Sequence, residues 1–186
     1  MQSKGLDGLV DVFNALAKKK LLIGIPKGED NQRADSKEMT NSHLGYIHEF
    51  GSPQQGIPPR PFLVPGVESV RGRVVDLLTQ GAKRAIKTRT VDPIEVSMHA
   101  AGTVAATAVQ MMIKSKIPPP LKPETVARRR RRSKGSSYRR KTTPAQQRAF
   151  IERYEAGLAM MSESPSTPLW DTGSLIRSIT YAIRED

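Results

Sequence analysis

Residues 45–66 read GYIHEFGSPQQGIPPRPFLVPG, and the fold turns on how the first six are taken. Together with His43 and Leu44 they alternate like a half-buried strand. In a strand over 43–50, Leu44, Tyr46 and His48 face one side, and Ile47 and Glu49 face the other. The prolines that follow lack an N–H and restrict φ, so they predict a stiff, extended connection outside any central strand. Phe62 and Leu63 end that connection as apolar anchors, and a helix is expected from Val67.

Working toward the N-terminus, 27–42 is polar and without period, which predicts a surface loop. Before it, LLIGIP (21–26) is a short apolar run stopped by proline and reads as a strand. Residues 5–19 place Leu6, Leu9, Val10, Phe13, Leu16 and Ala17 on one helical stripe, with lysines at the C-terminal end.

Working toward the C-terminus, Val67, Val70, Val74, Leu77, Gly81 and Ala85 recur at helical spacing, so one helix is expected over 67–87. Asp92-Pro93 predicts a cap followed by proline at the first helical position. The second long helix, 94–115, turns Ile94, Met98, Ala101, Val104, Ala108 and Met111 inward. These are mostly small, which implies a close crossing with its neighbours. Residues 178–185 alternate as a last strand, with Ile179, Tyr181 and Ile183 on one face.

The resulting expectation is an α+β fold. A small, mostly antiparallel sheet (21–26, 43–50, 178–185) is packed by two long helices, with a basic Pro/Arg-rich insertion before the last strand. Residues 1–115 and 166–186 form one domain. Residues 116–165 form an inserted arm, with a helix expected at 144–161.

Composition narrows the function. The chain has 186 residues, 37% of them hydrophobic, enough for a modest core. Only 5% are aromatic, which argues against a large aromatic-lined cavity. The absence of cysteine excludes disulfides and cysteine-based zinc sites and fits synthesis in a reducing cytoplasm. No uninterrupted apolar run approaches the ~20 residues of a membrane span, and the N-terminus has no signal-peptide core, so no membrane association is expected.

The net charge of +12 is local. Arg128, Arg129, Arg130, Arg131, Arg132, Lys134, Arg139, Arg140 and Lys141 lie together with no acid among them; without these nine, the +12 falls to +3. Such a run can contact nucleic-acid phosphates, meet an acidic protein surface, or stay solvated, and composition leaves all three open. Tyr138 alone interleaves with the charges, so a base-stacking platform is poorly supported.

Catalytic motifs are thin. In a strand His48 and Glu49 face opposite ways and cannot share a site, and no second histidine lies at ligand spacing. No glycine-rich phosphate loop is present. DTGS (171–174) matches one half of an aspartic-protease dyad, but no apolar strand precedes it, and Asp171 reads better as a helix cap. No enzymatic activity, cofactor or metal is expected.

Two motifs resemble a known family. HLGYIHEFGSPQQGIPPRPFLVPGV is similar to a pattern in the small neck and tail-completion proteins of long-tailed bacteriophages: hEFG, a spacer, iPpRPFl, then a helix. PLWDTGSLIRSITYAI resembles the same proteins' closing motif. The motifs cover about a quarter of the chain, in the family's order, with two helices between them. Trp170 stands where the family usually has a smaller residue, and the long basic 116–165 segment lies outside the resemblance.

The resemblance implies a virion protein made in the host cytoplasm and built into the head–tail neck. It would act as a subunit of a closed ring, commonly of six copies, that completes the tail and enables head–tail joining. Implied partners are other copies, a head-side connector or stopper, and a tail terminator or tail-tube protein, with packaged DNA as a further contact. Expected interface or positioning residues are Glu49, Phe50, Arg60, Phe62, Leu63, Trp170 and Asp171, with Arg60 as a salt-bridge anchor. Arg128–Arg132, Arg139, Arg140 and Lys141 are the expected DNA or acidic-partner contacts. Two alternatives remain: a tail terminator capping the tail tube, and a nonspecific nucleic-acid-binding protein using residues 128–141.

Overall fold

A long helix, α5 (Asp92–Lys114), organises the chain. Its run of alanines favours helix, and Asp92 and Glu95 in the first turn and Lys114 in the last complement its dipole. Proline in the first turn costs no hydrogen bond. Asp92 is the first helical residue rather than the cap; Val91 takes the cap position without a side-chain bond. By length and composition alone α5 could cross a bilayer, yet here it is the spine of the fold. In the computed structural model the described residues are 3–26, 39–115, 117–133, 145–146, 148–149, 152, 168–169 and 173–185.

The elements before the spine are α1 (Ser3–Lys18), β1 (Lys19–Gly24), α2 (Asn41–Phe50), α3 (Leu63–Glu68) and α4 (Arg71–Thr88). After it come α6 (Pro123–Ser133), α7 (Ser174–Ser178) and β2 (Thr180–Glu185). The fold is α+β, with a small antiparallel sheet packed against helices. That sheet has two strands, β1 and β2, in register from Lys19 opposite Glu185 to Gly24 opposite Thr180. The strand expected over 43–50 is a helix instead, and the single helix expected over 67–87 is two, α3 and α4, meeting at residues 69–70.

Small residues set the distances around α5, as its composition implied. A Cβ at Gly81 would lie 2.0 Å from Ser97 Oγ, and one at Gly66 would lie 2.7 Å from Val109 Cα. One on α5 itself, at Gly102, would lie 2.5 Å from the Tyr181 ring of β2. The buried face of α5 is broader than the expected stripe. It includes Ile94, Ser97, Met98, Ala101, Ala105, Ala106, Val109 and Ile113, because α3, α4 and the sheet all pack on it. Met111 is exposed, contrary to expectation.

The core has two centres along the spine. Near the start of α5, Val12, Ala15, Ala85, Ile94 and Met98 pack together. Near its end, Phe62, Ala106, Val109 and Ile113 pack with Ile117, Leu169, Leu175, Ile176 and Ile179. Ile117, Leu121 and Val126 are all buried, so the first part of the expected arm is packed into the fold. Of the helix expected over 144–161, the described residues 145–146, 148–149 and 152 are helical and the others lie outside the described residues, as do most of the 27–42 loop, Trp170 and Asp171.

The α1 stripe is also corrected. Leu6, Val10, Phe13 and Leu16 face solvent, while Val12 and Ala15 are buried. The reason is steric. Gly8 lies against the Arg89 backbone, so the small-residue side of α1 turns toward the fold.

Candidate functional site

The quoted stretch folds as a helix, a closed loop and a second helix start, locked by two charged side chains. The signal for α2 lies at its ends. The Thr40 side chain accepts from the His43 N–H at 3.2 Å, the usual N-cap geometry. Gly51 ends the helix at φ 80°, with its N–H on Ile47 O at 2.7 Å. A Cβ there would be strained by that φ and would lie 2.9 Å from Pro59 N.

The inward face of α2 carries Asn41, Gly45 and Glu49, one turn apart and all buried. Its outward face carries Tyr46 and Phe50, whose rings sit 4.8 Å apart and are mostly exposed. Asn41 accepts a hydrogen bond from Ser174 Oγ at 3.1 Å, which ties α2 to α7.

Glu49 closes the start of α3. One carboxylate oxygen accepts from the N–H of Phe62 at 2.7 Å and of Leu63 at 2.9 Å; the other accepts from Val64 N–H at 3.1 Å. These are backbone donors that a helix N-terminus leaves unpaired, and a carboxylate suits them by charge as well as geometry. Phe62 is thereby fixed in the core at 2% exposure, and Leu63 packs beside it.

Between the two helices the spacer SPQQGI folds on itself. Ser52 N–H donates to Ile57 O at 2.8 Å and Ile57 N–H to Ser52 O at 3.0 Å, around a 3-10 turn at Pro53–Gln55. Arg60 then faces inward at 5% exposure. Its N–H donates to His48 O at 2.7 Å. Its guanidinium donates from Nε to Pro119 O at 2.7 Å and from Nη2 to Pro120 O at 3.1 Å. Burial lowers the guanidinium pKa from its ordinary value. The expected salt bridge is therefore replaced: the hydrogen bonds found for this side chain go to backbone carbonyls across about sixty residues of chain, which holds the segment after α5 against α2.

The arrangement brings together Glu49, Arg60, Phe62 and Leu63, and Phe50 sits at its surface. Because α2 is a helix, the opposite-face argument for His48 and Glu49 no longer applies, and Glu49 is instead occupied with α3. Sequence reasoning missed Asn41, Gly51 and Tyr46. The Thr40-to-Gly51 spacing, a cap before and a glycine after ten residues, was the available signal. Among the described residues no group of three or more acids or histidines is placed to hold a metal.

In the basic segment, Arg128 is exposed on α6. Arg129 is half-buried and donates to Pro168 O at 3.0 Å, so it belongs to the packing. Arg130, Arg131, Arg132, Arg139, Arg140 and Lys141 have no described side chains. No protein-family model matches the chain, no curated protein matches it, and no solved structure does.

Proposed function

We propose that the chain is a structural virion protein of the phage head–tail joining region, a subunit of a closed ring that completes the tail. The observation that carries this reading is the use made of the HEFG…PPRPFL residues. Glu49 binds three backbone N–H groups and Arg60 binds two carbonyls. Both charges are engaged in positioning, as suits a motif that shapes a subunit. The resemblance of this motif and of the closing PLWDTGSLIRSITYAI supplies the head–tail context.

The partners on this reading are other copies, a head-side connector or stopper, and a tail terminator or tail-tube protein. Cryo-electron microscopy of particles carrying the protein tests it. Density for a ring between head connector and tail tube is the expected result. Absence from mature particles would overturn the reading and shift weight to nucleic-acid binding through residues 128–141. A ring seated directly on the last layer of the tail tube would favour the terminator role.

A further inference from the structure

The C-terminal end of α4 carries a second concentration of positive charge. Lys83, Arg84, Lys87 and Arg89 are all exposed. Lys83 and Lys87 stand one turn apart, with Arg84 beside them, away from Gly81 and Ala85, which are buried. No acid occurs from 77 to 91. Asp76 and Asp92 flank the stretch, and Asp7 and Asp11 lie on α1, whose Gly8 meets the Arg89 backbone. These four acids are exposed, and none forms an ion pair with the four cations. Without the nine charges of the 128–141 segment the chain carries +3; setting these four aside as well leaves −1. The positive excess of the whole chain therefore sits in two segments.

Ordinary helix chemistry accounts for part of this. A cation complements the negative end of a helix within its last turn, which covers Lys87 alone. Lys83 and Arg84 lie farther back, and a solvated face would suffice for them. Arg89 is different. Among the described residues it alone has a positive φ without being glycine, at 58°. It closes α4 in a left-handed cap, where glycine is the less strained choice. Its guanidinium has no hydrogen-bond or ion-pair partner among the described residues. A cation is thus held at a position that favours glycine, beside three others, with no acid of the described chain to neutralise.

We infer that the Lys83–Arg89 end of α4 binds the phosphate backbone of duplex nucleic acid, without regard to sequence. Phosphates call for cations, and each one contacted releases a counterion. An acidic protein surface fits less well, because protein interfaces draw most of their strength from a buried aromatic and apolar centre. From 83 to 90 only Ile86 is a large exposed apolar residue, and no aromatic residue occurs from 71 to 91. The same lack of rings favours a duplex over single strands, whose bases stack on aromatic side chains. The inference goes beyond the ring reading and stands apart from it: this contact is tested on the purified chain, the ring on particles.

Fluorescence anisotropy of the full chain with a labelled duplex of about 20 base pairs, over a range of salt, tests it. The triple variant Lys83→Gln, Arg84→Gln, Lys87→Gln should bind about ten-fold more weakly, with a log–log salt slope shallower by about 3. Its thermal melt should match that of the wild type. Lys83→Arg with Lys87→Arg should keep wild-type binding, since charge is what the phosphates read. Arg89→Gly should weaken binding yet melt no lower than the wild type, the reverse of what a structural arginine gives. That variant decides the matter if the triple variant melts early. A wild-type salt slope in the triple variant overturns the inference and assigns any binding to the 128–141 segment. No duplex binding by the wild type at low salt overturns it too. So does displacement of the duplex by poly-glutamate at equal charge, which points to an acidic protein, or tighter binding to a single strand.

Discussion

Glu49 is a buried acid whose three hydrogen bonds all go to the backbone of another helix. Glu49→Ala leaves those N–H groups without their acceptor, and a loss of about 3 kcal/mol in unfolding free energy is expected from urea denaturation. Glu49→Gln keeps the volume but turns a donor toward donors, so it should recover only part of that loss. Arg60→Ala should cost about 2 kcal/mol, since a charge-assisted pair of bonds is removed, and Arg60→Lys should cost less, because the ammonium keeps the charge without the two-pronged geometry. In the basic run the arginines are not equivalent. Arg129→Ser should lower the melting temperature through loss of its bond to Pro168 O, whereas Arg128→Ser, exposed, should leave it within error.

At the scale of elements, α5 is held by contacts that tolerate no added atoms. Gly102→Ala puts a methyl group into the Tyr181 ring, and an overpacking cost of about 1–3 kcal/mol is expected by chemical denaturation. The ends of three elements meet at Lys19, which pairs with Glu95 of α5 and, at 3.2 Å, with Glu185 of β2. The hydrogen bond to Glu95 raises the Lys19 pKa, and the same bond lowers that of Glu95. The Glu95 contribution is therefore present above the usual carboxylate range and lost as pH falls through its depressed folded value. The Lys19 contribution is present at neutral pH and lost as pH rises through its raised value. Glu95 is exposed, so the effect is small. Melting curves of wild type and Glu95→Gln should differ at pH 7 and converge in acid.

At the scale of the whole molecule, α1 looks amphipathic in sequence yet is packed with its smaller side inward. α1 buries Val12 and Ala15 while Phe13 faces out; α2 buries Ile47 along with Asn41, Gly45 and Glu49, while Tyr46 and Phe50 face out. Hydrophobic periodicity alone therefore places the wrong face of α1 in the core. In α2, the alternation of apolar and polar residues imitates a strand.

The sequence by itself determined the α+β class, α5 and its close packing, the two strands that pair, and the apolar anchoring by Phe62. These follow from composition and local pattern: an alanine-rich run favours helix, a short apolar run ended by proline or an alternating one favours strand, and a conformationally stiff proline segment demands anchors. Only the tertiary structure decided that residues 41–50 are helical, that α1 turns its largest apolar side chains outward, and that Arg60 binds carbonyls instead of an acid. Each depends on partners distant in sequence: α3 for Glu49, the Arg89 backbone for α1, and the Pro119 and Pro120 carbonyls for Arg60. Local pattern records what a residue prefers, whereas these outcomes were fixed by which unpaired backbone groups and which close-packed surfaces the folded chain brought within reach.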